Sequence, residues 1–440
     1  MSKGAAGPSE RGYIGVGLLG MGVVGTGVAE ALATQGSFLE ESVGLPLKLQ
    51  GILVRDAGRS RSSLVDSSLI TTRSKDVLEN PDVDIVIELM GGEDAALPAI
   101  RGALADGRSV VTGNKEVMAK HGAGLLAMAR AKGASLKFEA AVGGAIPVIS
   151  ALERGVTGAR VGALRAIING TTNYILTRMA VEGMAFEDAL SDAQAQGFAE
   201  ADPGNDINGT DAVYKLAVLA TLAYGSPVSP ESIYCEGIGH LTPRDFRYAH
   251  DLGYAIKLLA IAKEIGDGEL DVRVHPAFIA SDTQLAKVDG VYNAVQFDSD
   301  SAGELLLYGR GAGSGPTTSA VLSDLIEVAR GLTGRGGPQS RQTPGTGSRV
   351  RPIDELDFRY YLRMTVSDQP GVLAAIAQIL GDASISIASV IQQEVDETAG
   401  SAEIVITTHR ARESALRDAT GKLTALDVVR EIGSIIRVEE

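Results

Sequence analysis

The chain has 440 residues and a mass of 45.6 kDa, which is enough for two or three domains, each with its own hydrophobic core. Its net charge of -15 and pI of about 4.9 disfavour nucleic acid and anionic membranes as partners, so we expect a small-molecule ligand. The single cysteine, Cys235, and the lack of a signal peptide or a long apolar run predict a cytoplasmic protein.

A glycine-rich turn follows the first apolar run of the chain. Residues 13–19 read as a buried strand, GMGVVG follows directly, and a helical pattern comes next. This order is typical of a dinucleotide-binding unit, because the glycines let a pyrophosphate approach the backbone at the start of the helix. The alternative is a glycine turn with a purely structural role. The predicted cofactor-binding residues of this turn are Gly20, Gly22, Val23, Val24 and Gly25.

The second predicted strand, residues 47–54, ends in Arg55 and Asp56 rather than in a lone acidic residue. An acidic residue in this region binds the ribose of NAD, whereas an arginine can bind the 2′-phosphate of NADP. NADP is therefore favoured over NAD, with Arg55 as the phosphate ligand. The alternatives are that Arg59 or Arg61 binds the phosphate, or that Arg55 only ends the strand in solvent.

Three further strands, at residues 84–92, 109–115 and 135–144, alternate with amphipathic helices. Alternation of this kind predicts a parallel sheet, whose ligands bind beyond the carboxyl ends of the strands. Gly92 and Lys115 stand at two such ends, and Lys115 is expected to meet the nicotinamide or a substrate carboxylate. The alternative is that Asn114 caps a helix and Lys115 faces solvent.

The middle of the chain has a different pattern after Pro147. Residues 163–168 read as a strand and lead into NGTTNYIL, whose Asn169, Thr171 and Thr172 either contact substrate or cap the next helix. Strands at 271–279 and 304–307 suggest a mixed sheet. The loop GRGAGSGP, which contains Gly311, is expected to pass close to the cofactor before a helix that returns to the first domain.

An acidic stretch, GFAEADPGNDINGTDAVYKL, ends at a lysine. Lys215 follows Asp211 by four residues, so both lie on one face of the predicted helix. Carboxylates around one lysine suit the binding of an ammonium group and the transfer of a proton, although an exposed salt bridge has the same spacing. The histidines do not cluster with cysteine or carboxylates at metal-ligand spacing, so no catalytic zinc is predicted.

The last third of the chain begins with residues 331–354, which are rich in Gly, Pro, Ser and Arg and predict a linker or mobile loop. Residues 355–440 then follow the order βαββαβ, which is ferredoxin-like. The edges of such sheets can pair side by side and form a ligand site where they join.

Six blocks in order resemble homoserine dehydrogenase, and the tail resembles an ACT domain. The blocks are GLLGMGVVGTGV, TGNKEVMAKHG, FEAAVGGAIPVI, INGTTNYIL, GFAEADPGNDINGTDAVYKLA and GRGAGSGPTTSAVLSDL. The resemblance implies an α/β protein with a Rossmann-type domain, an α+β substrate and oligomerisation domain, and an ACT domain. The corresponding residues are 1–146 with about 311–330, then 147–310, a linker at 331–354, and 355–440.

The family resemblance also implies the chemistry, which is the reversible NAD(P)H-dependent reduction of aspartate 4-semialdehyde to homoserine in threonine, methionine and isoleucine biosynthesis. By position, Lys215 matches the proton donor and acceptor, and Lys115 the second lysine of the site. Glu200 and Asp206 match substrate contacts, with Asp211 in support, and Thr172 belongs to the same substrate group. The rival hypotheses are a dehydrogenase of another small amino acid or semialdehyde, and a redox-sensing regulator without catalysis.

Three further expectations follow from the resemblance. Threonine is expected to regulate the enzyme through the ACT domain, and the assembly is expected to be a homodimer or homotetramer. A structural sodium ion is expected to bind main-chain oxygens of Glu139, Val142, Gly144 and Ile146.

Overall fold

Two units make up the structure, which is a computed structural model describing residues 7–266, 268–334, 348–396 and 399–439. The first unit comprises residues 1–161, 214–230 and 298–347, and the second comprises residues 162–213, 231–297 and 348–440. Most of the predicted linker, residues 335–347, lies outside the described residues.

Helices and strands alternate through the first part of the chain, as predicted. The helices are α1 (Pro8–Arg11), α2 (Val23–Thr34), α3 (Gly36–Val43), α4 (Lys75–Leu78), α5 (Ala96–Ala105), α6 (Lys115–Ala131), α7 (Val148–Ser150), α8 (Gly170–Glu182), α9 (Phe186–Ala195), α10 (Gly204–Ile207), α11 (Thr210–Tyr224), α12 (Pro243–Asp251), α13 (Ser314–Leu332), α14 (Val372–Asp382) and α15 (Glu413–Thr424). Short 3-10 turns cover Ser67–Leu69, Glu139–Ala141, Pro230–Ser232, Leu285–Lys287 and Ile353–Glu355, and a π-helical turn covers Ala151–Gly155.

The strands are β1 (Ile14–Leu19), β2 (Leu47–Leu53), β3 (Ile70–Thr71), β4 (Ile85–Glu88), β5 (Ser109–Thr112), β6 (Leu136–Lys137), β7 (Val161–Ile167), β8 (Tyr234–Cys235), β9 (Tyr254–Glu264), β10 (Glu269–Ala280), β11 (Tyr292–Ser299), β12 (Gly303–Arg310), β13 (Arg349–Val350), β14 (Asp357–Ser367), β15 (Ile387–Asp396), β16 (Ser401–Thr408), β17 (Ala411–Arg412) and β18 (Val429–Val438).

The first unit contains a parallel sheet with the strand order β3-β2-β1-β4-β5-β6. Every residue of β1 is buried, because helices cover both faces of a parallel sheet. The order reverses between β1 and β4, and open α/β folds bind their ligands beyond the carboxyl ends of the strands at this point. The predicted Rossmann-type sheet is confirmed.

Helix α13 belongs to the core of the first unit although it lies far along the chain. Its Val321, Leu325 and Val328 pack in the same apolar cluster as Ile14 and Val16 of β1. The hydroxyl of Thr318 also donates to the backbone oxygen of Val24 at 3.5 Å. This helix therefore packs against the glycine-loop end of α2.

The predicted strand at residues 135–144 is wrong beyond Lys137. The carboxylate of Glu139 accepts hydrogen bonds of 2.8 Å from the backbone N–H groups of Ile149 and Ser150, which belong to the short helix α7. Gly143 and Gly144 then take left-handed conformations, with φ of +79° and +57°. These interactions turn the chain out of the sheet, and the sequence pattern alone does not reveal them.

A mixed sheet forms the framework of the second unit, with the order β11-β7-β9-β10-β18-β14-β16-β15. Strands β9 and β10 pair antiparallel from Leu270↔Glu264 to Ala280↔Tyr254. The sequence pattern predicts β10 but not β9, because the Ala, Leu and Lys residues of YAIKLLAIAKE also favour a helix. The long pairing with β10 overrides that local preference.

The C-terminal part of the second unit has the predicted order βαββαβ, formed by β14, α14, β15, β16, α15 and β18. Helices α14 and α15 contribute Ile376, Leu380 and Leu416 to a core that also contains Leu362 and Met364 of β14. Strand β18 continues the sheet into β10 through a short parallel pairing. The predicted α/β fold class is confirmed. Within the described residues, no helix has the length and apolar character needed to cross a bilayer.

Buried charges join this C-terminal part to helix α12. Arg363 of β14 donates to Asp245 of α12 at 2.9 Å and to Glu403 of β16 at 3.2 Å. Burial acts to raise the pKa of Asp245, but the hydrogen bond and charge of Arg363 outweigh it and hold that pKa below its ordinary value. Gly433 leaves space for the guanidinium, since a Cβ built there would lie 2.6 Å from Arg363 Nη1.

Candidate active site

A cavity of about 790 Å³ lies in the first unit at the carboxyl ends of β1, β2 and β4. Four predicted cofactor residues, Gly20, Gly22, Arg55 and Gly92, line it. Its size falls within the roughly 300–1,000 Å³ of ligand pockets, and it opens where parallel sheets bind nucleotides. The residues present therefore fit a dinucleotide.

The glycine turn is shaped by close backbone approaches. Gly20 has a φ of +95°, and a Cβ built there would lie 2.6 Å from the backbone oxygen of Leu89. A Cβ on Gly25 would lie 2.1 Å from the backbone oxygen of Gly20, so α2 packs here only without a side chain. A Cβ on Gly22 meets no atom within 4 Å. Gly22 thus leaves open space at the start of α2, where backbone N–H groups can bind phosphate.

Val23 and Val24 form the first turn of α2. The side chain of Val23 is 73% exposed, so it is not needed for the apolar core. The predicted contribution of both residues is through the backbone N–H groups at the helix N-terminus, which is consistent with this placement.

The cavity is lined by three basic side chains, Arg55, Arg59 and Arg61, and by the hydroxyl residues Thr72 and Ser74. Guanidinium and hydroxyl groups are suitable ligands for a phosphate. All three arginines that the sequence left as alternatives therefore line the same cavity.

The acidic residue next to Arg55 has a local role. Asp56 Oδ1 accepts a hydrogen bond of 2.8 Å from the backbone N–H of Gly58, and its backbone oxygen accepts one from Arg61. Arg61 also donates to the backbone oxygen of Arg59 at 2.8 Å. Asp56 and Arg61 therefore stabilise the turn that carries Arg59.

A buried carboxylate supports the loop after β4. Glu88 is fully buried, accepts a hydrogen bond of 2.6 Å from the Thr112 hydroxyl, and accepts one of 2.8 Å from the backbone N–H of Met90. Burial raises the pKa of Glu88, while these hydrogen bonds act in the opposite direction. Glu88 thus links the ends of β4 and β5 and positions the start of the loop that lines the cavity.

Asn114 caps α6, as the alternative interpretation of this position anticipated. Its Oδ1 accepts from the backbone N–H of Val117 at 3.1 Å, and its Nδ2 donates to the backbone oxygen of Gly92 at 2.6 Å. Lys115 is the first residue of α6 and is half-buried, but it is not among the residues that line the cavity. Its position is therefore set by the same asparagine that holds Gly92.

A lysine that the sequence interpretation missed connects two helices of the first unit. Lys120 of α6 lies 2.9 Å from the carboxylate of Glu93, which lines the cavity, and 5.6 Å from the centre of the Tyr214 ring. Hydrogen bonds with Glu116 and Glu93 raise the pKa of Lys120. The Glu116 and Lys120 spacing was the available signal. Tyr214 precedes Lys215, so this contact connects the cavity wall to the segment that carries Lys215.

A second group of predicted residues meets at Asn169 in the second unit. The Asn169 amide nitrogen donates to Asp206 at 2.7 Å and to Asp211 at 2.9 Å. Its Oδ1 accepts from the backbone N–H of Thr172 at 2.8 Å, so Asn169 also caps α8. Asn169 is 6% exposed and Asp211 4%. One buried amide therefore brings two predicted carboxylates together, an arrangement suited to binding a cation.

Thr172 and Glu200 occupy different surroundings. Thr172 is 1% exposed, and its hydroxyl donates to Asn169 Oδ1 at 3.0 Å, so it fixes the asparagine. Glu200 is exposed, and its backbone oxygen accepts from Gln194 at 3.1 Å. Among the described residues, no hydrogen bond or ion pair joins the Glu200 carboxylate to the Asn169 group. Lys215 is half-buried on α11, one helical turn after Asp211.

The loop predicted to bind sodium lies in the first unit. The predicted donors are backbone oxygens; among the described residues, no three His, Cys, Asp or Glu side chains form a metal-binding group. The backbone oxygens of Glu139 and Ile146 accept from the N–H groups of Val142 and Val148, at 3.3 and 2.7 Å. No described backbone N–H donates to the oxygens of Val142 or Gly144.

Gly144 and Gly311 approach each other closely. A Cβ built on Gly144 would lie 2.6 Å from the backbone of Gly311, and Ala145 N–H donates to the backbone oxygen of Arg310 at 3.1 Å. Gly311 is not among the residues that line the 790 Å³ cavity. Its observed contact is with the predicted sodium loop.

Family models match three successive parts of the chain. Residues 20–139 match the model described as homoserine dehydrogenase, NAD binding domain, and residues 147–326 match the homoserine dehydrogenase model. Residues 360–428 match the ACT domain. A homoserine dehydrogenase of Mycobacterium bovis is 41% identical over 440 residues, covering 98% of this chain and 99% of the relative. The chain belongs to the homoserine dehydrogenase family.

Other homoserine dehydrogenases agree in sequence and in structure. The Pseudomonas aeruginosa protein is 43% identical over 378 residues, covering 84% of this chain and 86% of its own length. The crystal structure of a homoserine dehydrogenase from Thiobacillus denitrificans matches with a TM-score of 0.89 and 41% identity, covering 97% of this chain and 98% of that one. A hyperthermophilic archaeal homoserine dehydrogenase in complex with NADPH matches at a TM-score of 0.62 and 27% identity, covering 75% of this chain and 100% of that one.

The family resemblance read from the sequence is thus confirmed, together with the enzyme class. The homoserine dehydrogenase activity is the reversible, NAD(P)-dependent interconversion of aspartate 4-semialdehyde and homoserine, a step of amino-acid biosynthesis. The two rival hypotheses, another dehydrogenase and a non-catalytic redox regulator, have no support in these matches.

Proposed function

We propose that Lys215 is the proton donor when this homoserine dehydrogenase reduces the aldehyde of aspartate 4-semialdehyde. The bound nicotinamide supplies the hydride. Negative charge then develops on the carbonyl oxygen, and an ammonium group next to it can donate a proton as the charge appears. In the reverse direction, the neutral lysine accepts the proton of the homoserine hydroxyl.

The ammonium of the substrate binds to the carboxylates of Asp206 and Asp211, with Glu200 as a further ligand from an exposed segment. Lys115 orients the substrate beside the nicotinamide. The observation that carries this assignment is the shared hydrogen bonding of Asp206 and Asp211 to Asn169, because it holds two negative charges at one buried amide. Fixed charges of this kind bind and orient a cationic group without reorganisation.

The test compares Lys215→Ala with Lys132→Ala, a control at an exposed lysine that directly follows α6. Loss of a general acid lowers kcat by about 10² to 10⁴-fold. We expect that loss in Lys215→Ala, with cofactor affinity unchanged, and wild-type turnover in Lys132→Ala. Turnover is followed by the absorbance of the reduced nicotinamide. Near wild-type turnover in Lys215→Ala would refute the assignment.

NADP is the proposed cofactor. The grouping of Arg55 and Arg59 with Thr72 and Ser74 supports a 2′-phosphate ligand, as does the engagement of Asp56 by its own turn. The archaeal relative in complex with NADPH is consistent with this choice.

A sodium ion is proposed to stabilise the loop from Glu139 to Ile146 through backbone oxygens. The support is local: Gly143 and Gly144 are left-handed, and the carbonyl groups of Val142 and Gly144 accept no described backbone hydrogen bond. Thermal unfolding in sodium and in choline chloride at equal ionic strength tests it. A higher Tm in sodium is expected, and equal values would contradict it.

The ACT domain suggests regulation, and we propose threonine as the regulator and a homodimer or homotetramer as the assembly. Strand β15 ends the sheet order, and its Val390 is 39% exposed, which favours pairing at this edge. Light scattering measures the assembly. Kinetics with and without threonine measure the regulation, and we expect threonine to inhibit turnover.

A further inference from the structure

A second cavity, of about 300 Å³, lies within the second unit, away from the sheet edge at β15. It is bordered by β9 and β10 of the substrate part and by β14 and β18 of the ACT part. Its volume is at the lower end of ligand pockets, roughly 300–1,000 Å³, so only a small molecule fits. None of the residues assigned above to catalysis or to substrate and cofactor binding lines it.

Charges of both signs line this cavity, including Lys263, Asp271, Arg273, Arg359, Arg410 and Glu439. Arg410 is exposed and Arg359 is half-buried, whereas Asp271 and Arg273 are 5% and 2% exposed. Arg359 and Arg410 thus lie toward the solvent side, together with the exposed carboxylates of Glu355 and Asp357, whereas Asp271 and Glu439 are the buried carboxylates. A ligand with separated positive and negative groups complements this arrangement.

The buried carboxylate is incompletely paired. Asp271 Oδ2 accepts a hydrogen bond from Arg273, whereas Asp271 Oδ1 is buried and has no hydrogen-bond partner among the described residues. A buried carboxylate oxygen without a donor is costly, and such groups usually mark a missing partner. An ammonium group supplies three donors and a positive charge.

The cavity is also connected to the Asn169 group. Glu439 accepts from Arg273 at 2.6 Å and from Arg165 at 2.9 Å, and it pairs with Lys263. Arg165 lies on β7, which ends two residues before Asn169. A change at Glu439 can therefore reach the Asn169 amide through the ion pair with Arg165 and the short stretch of backbone from Arg165 to Asn169.

We propose that this cavity binds a small α-amino acid, with its ammonium at Asp271 and its carboxylate at Arg359 and Arg410. The occupied cavity acts on the substrate carboxylates through Glu439 and Arg165. The proposal deepens the amino-acid regulation proposed above, since it places the ligand inside one chain rather than at a joint between ACT sheets.

Calorimetric titration of the full-length protein tests the site, with L-threonine as the probe. L-lactate lacks the ammonium, 1-amino-2-propanol lacks the carboxylate, and inorganic phosphate tests for a simple anion site. We expect binding of threonine and at least tenfold weaker binding of the other three, because each lacks one of the two charge-assisted contacts. Equal binding of lactate or phosphate would overturn the zwitterion assignment.

Variants locate the binding. Arg410→Gln is expected to weaken threonine binding about tenfold or more, whereas Arg412→Gln, at an exposed arginine outside the cavity, leaves it unchanged. Asp271→Asn is expected to act like Arg410→Gln. Because Arg410 is exposed, its variant decides the question if Asp271→Asn fails to fold. Absence of binding in the wild type, or equal affinity in Arg410→Gln, would refute the site.

Turnover of homoserine separates this inference from the proposed catalytic roles. Arg410→Gln is expected to keep wild-type kcat in the absence of threonine and to lose the response to threonine. If Lys215→Ala loses turnover but still binds threonine, the result supports the catalytic role of Lys215 and says nothing against the cavity. If the wild-type enzyme turns over homoserine but does not bind threonine, the result refutes the cavity proposal and leaves the catalytic assignment intact.

Discussion

The side-chain nitrogen of Asn169 donates one hydrogen bond to Asp206 at 2.7 Å and a second to Asp211 at 2.9 Å. Because Asn169 Oδ1 caps α8, the amide cannot rotate without loss of the cap. Helix packing thereby fixes the direction of the nitrogen, and the nitrogen fixes the two carboxylates. This relationship makes the substrate group dependent on a residue that does not itself need to contact substrate.

Asn169→Ala should lower kcat/KM about 10- to 100-fold, because hydrogen bonds to charged groups contribute roughly 1.5–3 kcal/mol. Loss of the cap should also reduce the free energy of unfolding by about 1 kcal/mol. Steady-state kinetics and thermal unfolding measure the two effects. Thr171→Ala is the matched control, since its hydroxyl bonds to the backbone oxygen of Phe198 instead. A folded Asn169→Ala enzyme with unchanged kcat/KM would contradict the positioning role.

The double variant Arg55→Ala/Arg59→Ala should raise KM for NADP about 10- to 100-fold and leave KM for NAD unchanged. The reason is that only NADP carries the 2′-phosphate that these guanidinium groups would bind. Kinetics with both cofactors measure the ratio, and the single variants identify the ligand. Arg73→Ala, at an exposed arginine paired with Asp76 outside the cavity, should change neither value. An equal loss with both cofactors would argue against phosphate recognition.

Gly25→Ala and Gly22→Ala should separate packing from cofactor contact. At Gly25 a methyl group would overlap the backbone oxygen of Gly20, so the free energy of unfolding should fall by about 1–3 kcal/mol. At Gly22 the methyl group has space, so stability should be kept while cofactor affinity falls. Denaturant unfolding and cofactor titration give the two quantities. Unchanged cofactor affinity in Gly22→Ala would show that the open space is not used by the dinucleotide.

Asp245→Asn should reduce the free energy of unfolding by about 1.5–3 kcal/mol at neutral pH, because it removes one of the two carboxylates that pair with the buried Arg363. Arg363 holds the pKa of Asp245 below its ordinary value. The ionised Asp245 therefore contributes its full stabilisation above the pKa of an unfolded aspartate, and this stabilisation is lost as pH falls through the lower pKa of the folded state. The difference from wild type should therefore shrink below about pH 4. Urea unfolding across acidic pH measures it, with the exposed Asp251→Asn as control. A difference that persists in acid would exclude the ionic explanation.

The parallel sheet and the C-terminal βαββαβ order were predictable from the sequence because each strand is a short apolar run bounded by glycine or polar turns. The glycine turn was predictable for the same local reason, and its structure confirms the need for Gly20 and Gly25. Strand β9 was not predictable, because its residues favour a helix until β10 pairs with them. The early end of the strand at Lys137 depends on where the Glu139 carboxylate bonds, which no local pattern reveals.

For the candidate site, spacing identified Asp211 and Lys215 on one helix, but not what holds the carboxylates. The role of Asn169 depends on contacts with residues about 40 positions away, which sequence periodicity does not report. The contact between Lys120 and Tyr214 was unpredictable for the same reason, since only the tertiary fold brings α6 to that ring.

Gly433 has an evolutionary consequence. Any side chain at that position would occupy the volume of the Arg363 guanidinium, whose nitrogens lie 2.6–2.9 Å from the built Cβ. Neither position can change alone without disturbing a charge buried against Asp245. Among homologues that keep this arginine, position 433 should stay glycine, and lineages that acquire a larger residue there should have replaced the arginine as well.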